Sequence, residues 1–137
     1  MTTARLAISC TLITLALLGP RLGLAADWNG DVVSAAREAK RLDKPMLLFI
    51  DNMQCHNCVQ TKKEVLSDPR VITELRRYYV TVRVTYDKHP ELAAAFNLTL
   101  SPTLLVLTPH GNEIGRVHGS FDKYQFLAQL ARLRASR

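Results

Sequence analysis

The sequence has little with which to cross a membrane, grip nucleic acid or remain unfolded. Its apolar run Leu6–Leu18, LAISCTLITLALL, is 13 residues long, short of the roughly 20 that a spanning helix needs. No interleaving of aromatic and basic residues marks a nucleic-acid surface, so no nucleic-acid partner is expected. There is no internal repeat and no low-complexity tract. Charged residues are 22% of the chain against 47% apolar, which excludes a disordered polymer and supplies one sizeable core. At 137 residues the chain suits a single domain. Cysteine is scarce: Cys10, Cys55 and Cys58 are the three it has.

What is present begins with an address. Arg5 gives a positive start, the apolar run follows, Gly19-Pro20 breaks it, and Gly23-Leu24-Ala25 offers small residues at cleavage spacing. This is the pattern of a secretory signal peptide over residues 1–25, cleaved after Ala25 or Ala26, with a domain over 26–137. An uncleaved anchor is the alternative, which the short run disfavours. Cys10 lies too early in the run for a lipoprotein cysteine and leaves with the peptide. Removal of Arg5 and Arg21 leaves 16 Lys and Arg against 12 Asp and Glu, a net charge of +4. Arg132, Arg134 and Arg137 hold part of that excess at the tail. A basic tail can favour an acidic partner or lipid headgroups, but it also suits a solvated helix end.

Export leaves Cys55 and Cys58 in a compartment where disulfides persist. A bridge across so short a loop constrains the unfolded chain little, so a purely structural staple is a poor use of the spacing. Around the pair, DVVSAAREAKRL from Asp31 to Leu42 has helical spacing of Val32, Ala35, Ala36, Ala39 and Leu42, and Asp31 is placed either to cap it or to sit in its first turn. Pro45 precedes a continuous apolar strand, Met46–Ile50. VQTKKEVL after Cys58 reads as a helix with Val59 and Leu66 in register. Ser67-Asp68-Pro69 ends it and caps another, with Val71, Ile72 and Leu75 on its apolar face. Val80 to Tyr86 alternates as a strand. Pro90–Phe96 is a short helix, Thr103–Leu107 a second apolar strand, Pro109-His110-Gly111-Asn112 a turn, Glu113–His118 a return strand, and Asp122–Leu133 a closing helix. Strands separated by helices pair in parallel, and the last hairpin adds an antiparallel strand.

A strand, a Cys-x-x-Cys opening a helix, a distant Ser101-Pro102-Thr103 before a later strand, then a hairpin and a last helix: this arrangement resembles the thioredoxin-like superfamily. Within it the stronger likeness is to the periplasmic C-terminal domain of the disulfide reductase DsbD, which similarly has a Lys-Pro strand start (Lys44-Pro45), the Cys-x-x-Cys and a following Ser-Asp-Pro. The likeness covers about residues 28–134. It implies an α/β thioredoxin fold with a central mixed four-stranded sheet flanked by helices, and a cis bond before Pro102. It also implies a periplasmic thiol:disulfide oxidoreductase, working as a reductase on client proteins with disulfides or thiols. A membrane electron donor such as a DsbD-like protein would supply it. The expectation is a monomer with no cofactor and no resident metal.

The chemistry follows from placement. Cys55 at a helix N-terminus meets unpaired N–H groups and the positive end of the dipole, which is expected to lower its thiol pKa into the range of about 3.5–7.5 seen at such sites. Cys58, one turn inside, is the resolving thiol. His56 can stabilise a Cys55 thiolate as an imidazolium, and Asn57 can help to cap the helix. The loop Ser101-Pro102-Thr103 is the expected seat for a bound peptide. Trp28, before the first helix, is expected to pack at the base of that helix, and His89, His110 and His118 to lie on the surface. Two positions depart from the family pattern. Phe49 stands where thioredoxins commonly have a buried acid, and Gln54 where a tryptophan usually precedes the first cysteine. Asp51 is nearer, but strand alternation is not expected to place it on the face of Phe49, which leaves Glu64 as the candidate substitute. A second reading keeps the fold but uses Cys55 and Cys58, with Met53 and His56 nearby, as a copper(I) chaperone site.

Overall fold

The computed structural model describes residues 26–119 and 122–136; the apolar leader and its cleavage positions up to Ala25, with Cys10, lie outside the described residues. Elements follow in the order α1 Val32–Leu42, β1 Met46–Asp51, α2 His56–Glu64, α3 Pro69–Tyr78, β2 Val80–Thr85, α4 Pro90–Ala95, β3 Thr103–Leu107, β4 Glu113–His118 and α5 Lys123–Ala135, with a single 3₁₀ turn at Tyr86–Lys88 after β2. The four strands form one sheet in the order β2-β1-β3-β4. β1 pairs parallel with β2 and antiparallel with β3, and β3 pairs antiparallel with β4. This is the thioredoxin fold expected from the sequence.

Local chemistry sets the element boundaries. Asp31 caps α1 by accepting from the N–H groups of Val33 and Ser34, and Asp68 caps α3 by accepting from Arg70 N–H, with Pro69 in the first turn. Asp122 does the same for α5 through Tyr124 and Gln125. Each cap satisfies donors that a helix start leaves orphaned. Asp43 ends α1 in the left-handed region, at φ 49°.

The alternation of β1 divides the interior. Leu47 and Phe49 face a cluster with Val65, Leu66, Val71, Leu75, Phe126 and Leu130, supplied by α3, α5 and the end of the α2 segment. Met46, Leu48 and Ile50 face the other cluster with Ala35, Ala39, Val82 and Val84. Both faces of β1 are therefore covered, which explains why its sequence is apolar at consecutive positions. α2 departs from the sequence reading in its buried stripe. Cys58, Thr61 and Val65 point inward, while Val59 is exposed. The helix also begins at His56, earlier than the apolar register suggested, because Cys55 acts as its cap. Asn29 bridges in parallel to Val82, so the segment before α1 covers the outer edge of β2.

Candidate active site

β1 delivers the chain to the site. Beyond Asp51 the side chain of Asn52 accepts from Gln54 N–H at 3.1 Å, an Asx-type turn, and Cys55 N–H reaches Asn52 O at 3.4 Å. Cys55 is extended (φ −82°, ψ 99°) and serves as the N-cap of α2. Its Sγ accepts from Cys58 N–H at 3.0 Å. The sulfur thus occupies the position an N-cap oxygen normally takes, in reach of an orphan amide and at the positive end of the dipole. Cys55 is half-buried and bonded to Cys58 as a disulfide; Cys58 is 0% exposed. His56 and Asn57 are both exposed on the first turn. Asn57 is not the cap, since the sulfur already takes the Cys58 amide. Met53 is 82% exposed, and among the described residues no group of three His, Cys, Asp or Glu side chains is arranged to hold a metal ion.

The second loop leads into β3. Ile50 pairs with Thr103, so Ser101 and Pro102 lie just past the end of β1, beside the turn leading to Cys55. The Ser101–Pro102 bond is cis, and Pro102 and Thr103 are buried. Pro102 O accepts from Gly119 N–H at 3.0 Å. Thr103 Oγ1 donates to Leu100 O at 2.7 Å and lies 3.0 Å from His118 Nδ1. With its proton committed to the carbonyl, the hydroxyl accepts from Nδ1–H, which fixes the histidine tautomer. His118 is therefore exposed, as expected, but tied to the loop that holds Pro102. Nothing local in the sequence signals that link, which depends on the pairing of Thr103 with His118 across β3 and β4.

The acid near the site is placed differently from the sequence expectation. Phe49 lies in the apolar cluster, 6.1 Å edge-on from Trp28. Asp51, two residues on, shares its face and is 3% exposed. Its Oδ2 accepts from Lys62 Nζ at 3.1 Å and from Arg83 Nε and Nη2 at 3.1 and 2.8 Å, and its Oδ1 lies 3.4 Å from Thr85 Oγ1. The two-residue period of a strand requires this shared face, so the expectation against it is corrected. Glu64 is not the substitute: it is exposed and accepts from Gln60 at 3.3 Å.

Fold and site together define a thioredoxin-type dithiol/disulfide protein: a close cysteine pair at the start of the helix after β1, faced by a cis-proline loop. The chain belongs to the thioredoxin-like domain family, whose model matches residues 32–134. It is 28% identical over 130 residues to the thioredoxin-related protein DsbJ of Chlamydia pneumoniae, covering 86% of this chain but 37% of that relative, so the chain spans well under half the length of that protein. The solution structure of a thioredoxin from Thermus thermophilus matches with 28% identity and a TM-score of 0.70, over 76% of this chain and 84% of that one. The C-terminal domain of Neisseria meningitidis DsbD in the reduced form shares the fold at 16% identity, with a TM-score of 0.64 over 73% of this chain and 90% of that domain. The fold and the close cysteine pair are those of thiol:disulfide oxidoreductases.

Proposed function

We propose that the protein is an exported, periplasmic thiol:disulfide oxidoreductase that reduces disulfides in client proteins through Cys55 and Cys58. The observation that carries this reading is the asymmetry of the pair. The Cys55 sulfur sits at the helix start in contact with the Cys58 amide, and Cys58 is wholly buried. A thiolate is favoured at the first position and shielded at the second.

In the reduced protein the Cys55 thiolate attacks one sulfur of a client disulfide. A mixed disulfide forms, and the other client sulfur leaves as a thiolate that takes up a proton. Cys58 loses its proton and attacks the Cys55 sulfur. The Cys55–Cys58 disulfide forms and the second client thiol is released. Two electrons have passed to the client, and a membrane donor of the DsbD type would return them. Ser101, Pro102 and Thr103 would seat the client segment beside Cys55, with His56 and Asn57 at the rim. The reducing direction follows the resemblance to the DsbD domain, and the export signal over residues 1–25 supplies the compartment.

Trapping tests the assignment. Cys58→Ser is expected to accumulate a mixed disulfide with client protein that dithiothreitol releases, and Cys55→Ser to accumulate none. In the reduced protein Cys55 is expected to alkylate far faster than Cys58 at neutral pH. Faster alkylation of Cys58, or trapping by Cys55→Ser instead, would reverse the roles.

A further inference from the structure

A cavity of about 250 Å³, which neither cysteine lines, opens on the Phe49 face of the sheet beside α2 and α3. Trp28, Phe49, Leu66 and Ile72 give it apolar walls, and Lys62 and Arg83 line it as well. Those two side chains are 31% and 49% exposed, which puts them where the cavity meets solvent. Both are held by the single Oδ2 of Asp51, and Asp51 itself does not line the space. Two cations against one carboxylate leave one positive charge in excess, and among the described residues no acidic side chain lines the cavity.

We propose that this cavity binds a small aromatic monocarboxylate, its ring between the apolar walls and its carboxylate on Arg83 and Lys62. Size supports a single ring: an apolar cavity of about 150 Å³ holds benzene, so about 250 Å³ admits a ring with a short acid arm. The walls favour an aromatic ring, since Trp28 and Phe49 already meet edge-on and can present faces or edges to a third ring. The mouth selects an anion. Arg83 uses Nε and Nη2 on Asp51, and the remaining edge of its guanidinium fork suits a second carboxylate. One ligand charge neutralises the excess, whereas a dianion would restore an imbalance of opposite sign beside the buried Asp51.

Trp28 is the chain's single tryptophan and part of the wall, so its emission reports occupancy directly. Titration of the oxidised protein with phenylacetate is expected to change Trp28 fluorescence saturably. Phenylacetamide, of nearly the same shape and uncharged, is expected to bind about tenfold or more weakly, the loss that follows from removing a charge-assisted hydrogen bond. Arg83→Met is expected to reduce phenylacetate binding to the level of the amide and to leave the amide unchanged. Ile72→Phe, which fills the space, is expected to abolish both. Equal affinity for acid and amide, or a response that does not saturate, overturns the proposal. The acid–amide comparison uses the unaltered protein, so it decides the matter even if a variant does not fold.

Discussion

At Cys55 one sulfur serves as half of the disulfide and as the cap of α2. Its neighbour His56 lies exposed on the same turn, so its charge acts on the sulfur through solvent and is worth little by itself. An imidazolium stabilises a thiolate, and whatever stabilises the thiolate stabilises the reduced form. His56→Ala is therefore expected to move the potential about 20 mV more negative, using about 30 mV per 1.4 kcal/mol for a two-electron couple and a screened interaction. Equilibration against glutathione at pH 6 checks this. An unchanged potential at pH 6 would leave reactivity to the helix terminus alone. Asp51 gives a larger effect. It is 3% exposed and faces two cations, so Asp51→Leu leaves Lys62 and Arg83 without their shared partner. Removing one member of a buried ion pair costs up to about 5 kcal/mol, and the half-exposed Arg83 brings the expectation nearer 2 kcal/mol. Urea denaturation measures it, and a loss below 0.5 kcal/mol, on the order expected for an ordinary surface site, would show the cluster to be dispensable. The cysteines and Pro102 were legible as a motif because their meaning lies in spacing. The environment of Asp51 was not, because Lys62 is 11 and Arg83 is 32 positions away.

Between elements, Asp68 ties two helices that begin side by side. It caps α3 through Arg70 N–H and meets Lys123, the first residue of α5, at 3.0 Å. The hydrogen bond from Lys123 is the main cause that holds its carboxyl below the usual carboxylate range, with the amide of Arg70 adding to it. A depressed folded-state pKa adds stability that is complete above the unfolded-state value and is lost as pH falls through the folded one. The contribution of Asp68 should therefore disappear on acidification below about pH 4, the unfolded carboxyl value. Asp68→Asn keeps a capping side chain but removes the charge. Its melting temperature is expected to lie below that of the parent at pH 7 and to converge with it toward pH 2. A constant gap across that range would assign the loss to capping instead. The helices themselves were readable from periodicity and caps, as Asp31, Asp68-Pro69 and Asp122 show. α2 was read less well. Its exposed face carries Val59 and its buried face Thr61, so apolar spacing pointed the wrong way, whereas its start at Cys55 followed from the Cys-x-x-Cys arrangement.

At the scale of the whole molecule, connectivity separates reactivity from charge. α1 and α3 each run into a strand parallel to the direction of β1, so they end at the edge of the sheet opposite the disulfide. There they carry Lys40 and Arg41, and Arg76 and Arg77, in their last turns. α5 returns from the end of β4 with Arg132 and Arg134 in its last turn. Cations at these positions meet the negative ends of the helix dipoles, and Arg134 also pairs with Glu74 of α3. The start of the domain is equally built into the fold. Asp27 O accepts from Thr81 Oγ1 at 2.9 Å, Asn29 N–H donates to Thr81 O at 2.9 Å, and Asn29 O accepts from Arg83 N–H at 3.0 Å. Ala26 is buried in the cluster with Leu66 and Val71. Of the two cleavage positions, the one after Ala25 keeps that buried methyl, and the one after Ala26 discards it at a cost of about 0.8 kcal/mol. Exported protein is therefore expected to begin at Ala26, and intact-mass measurement separates the two termini by one alanine. A mass that begins at Asp27 would show that peptidase preference outweighs the core contact. A mass that still begins at Met1 would remove the export reading and, with it, the periplasmic assignment.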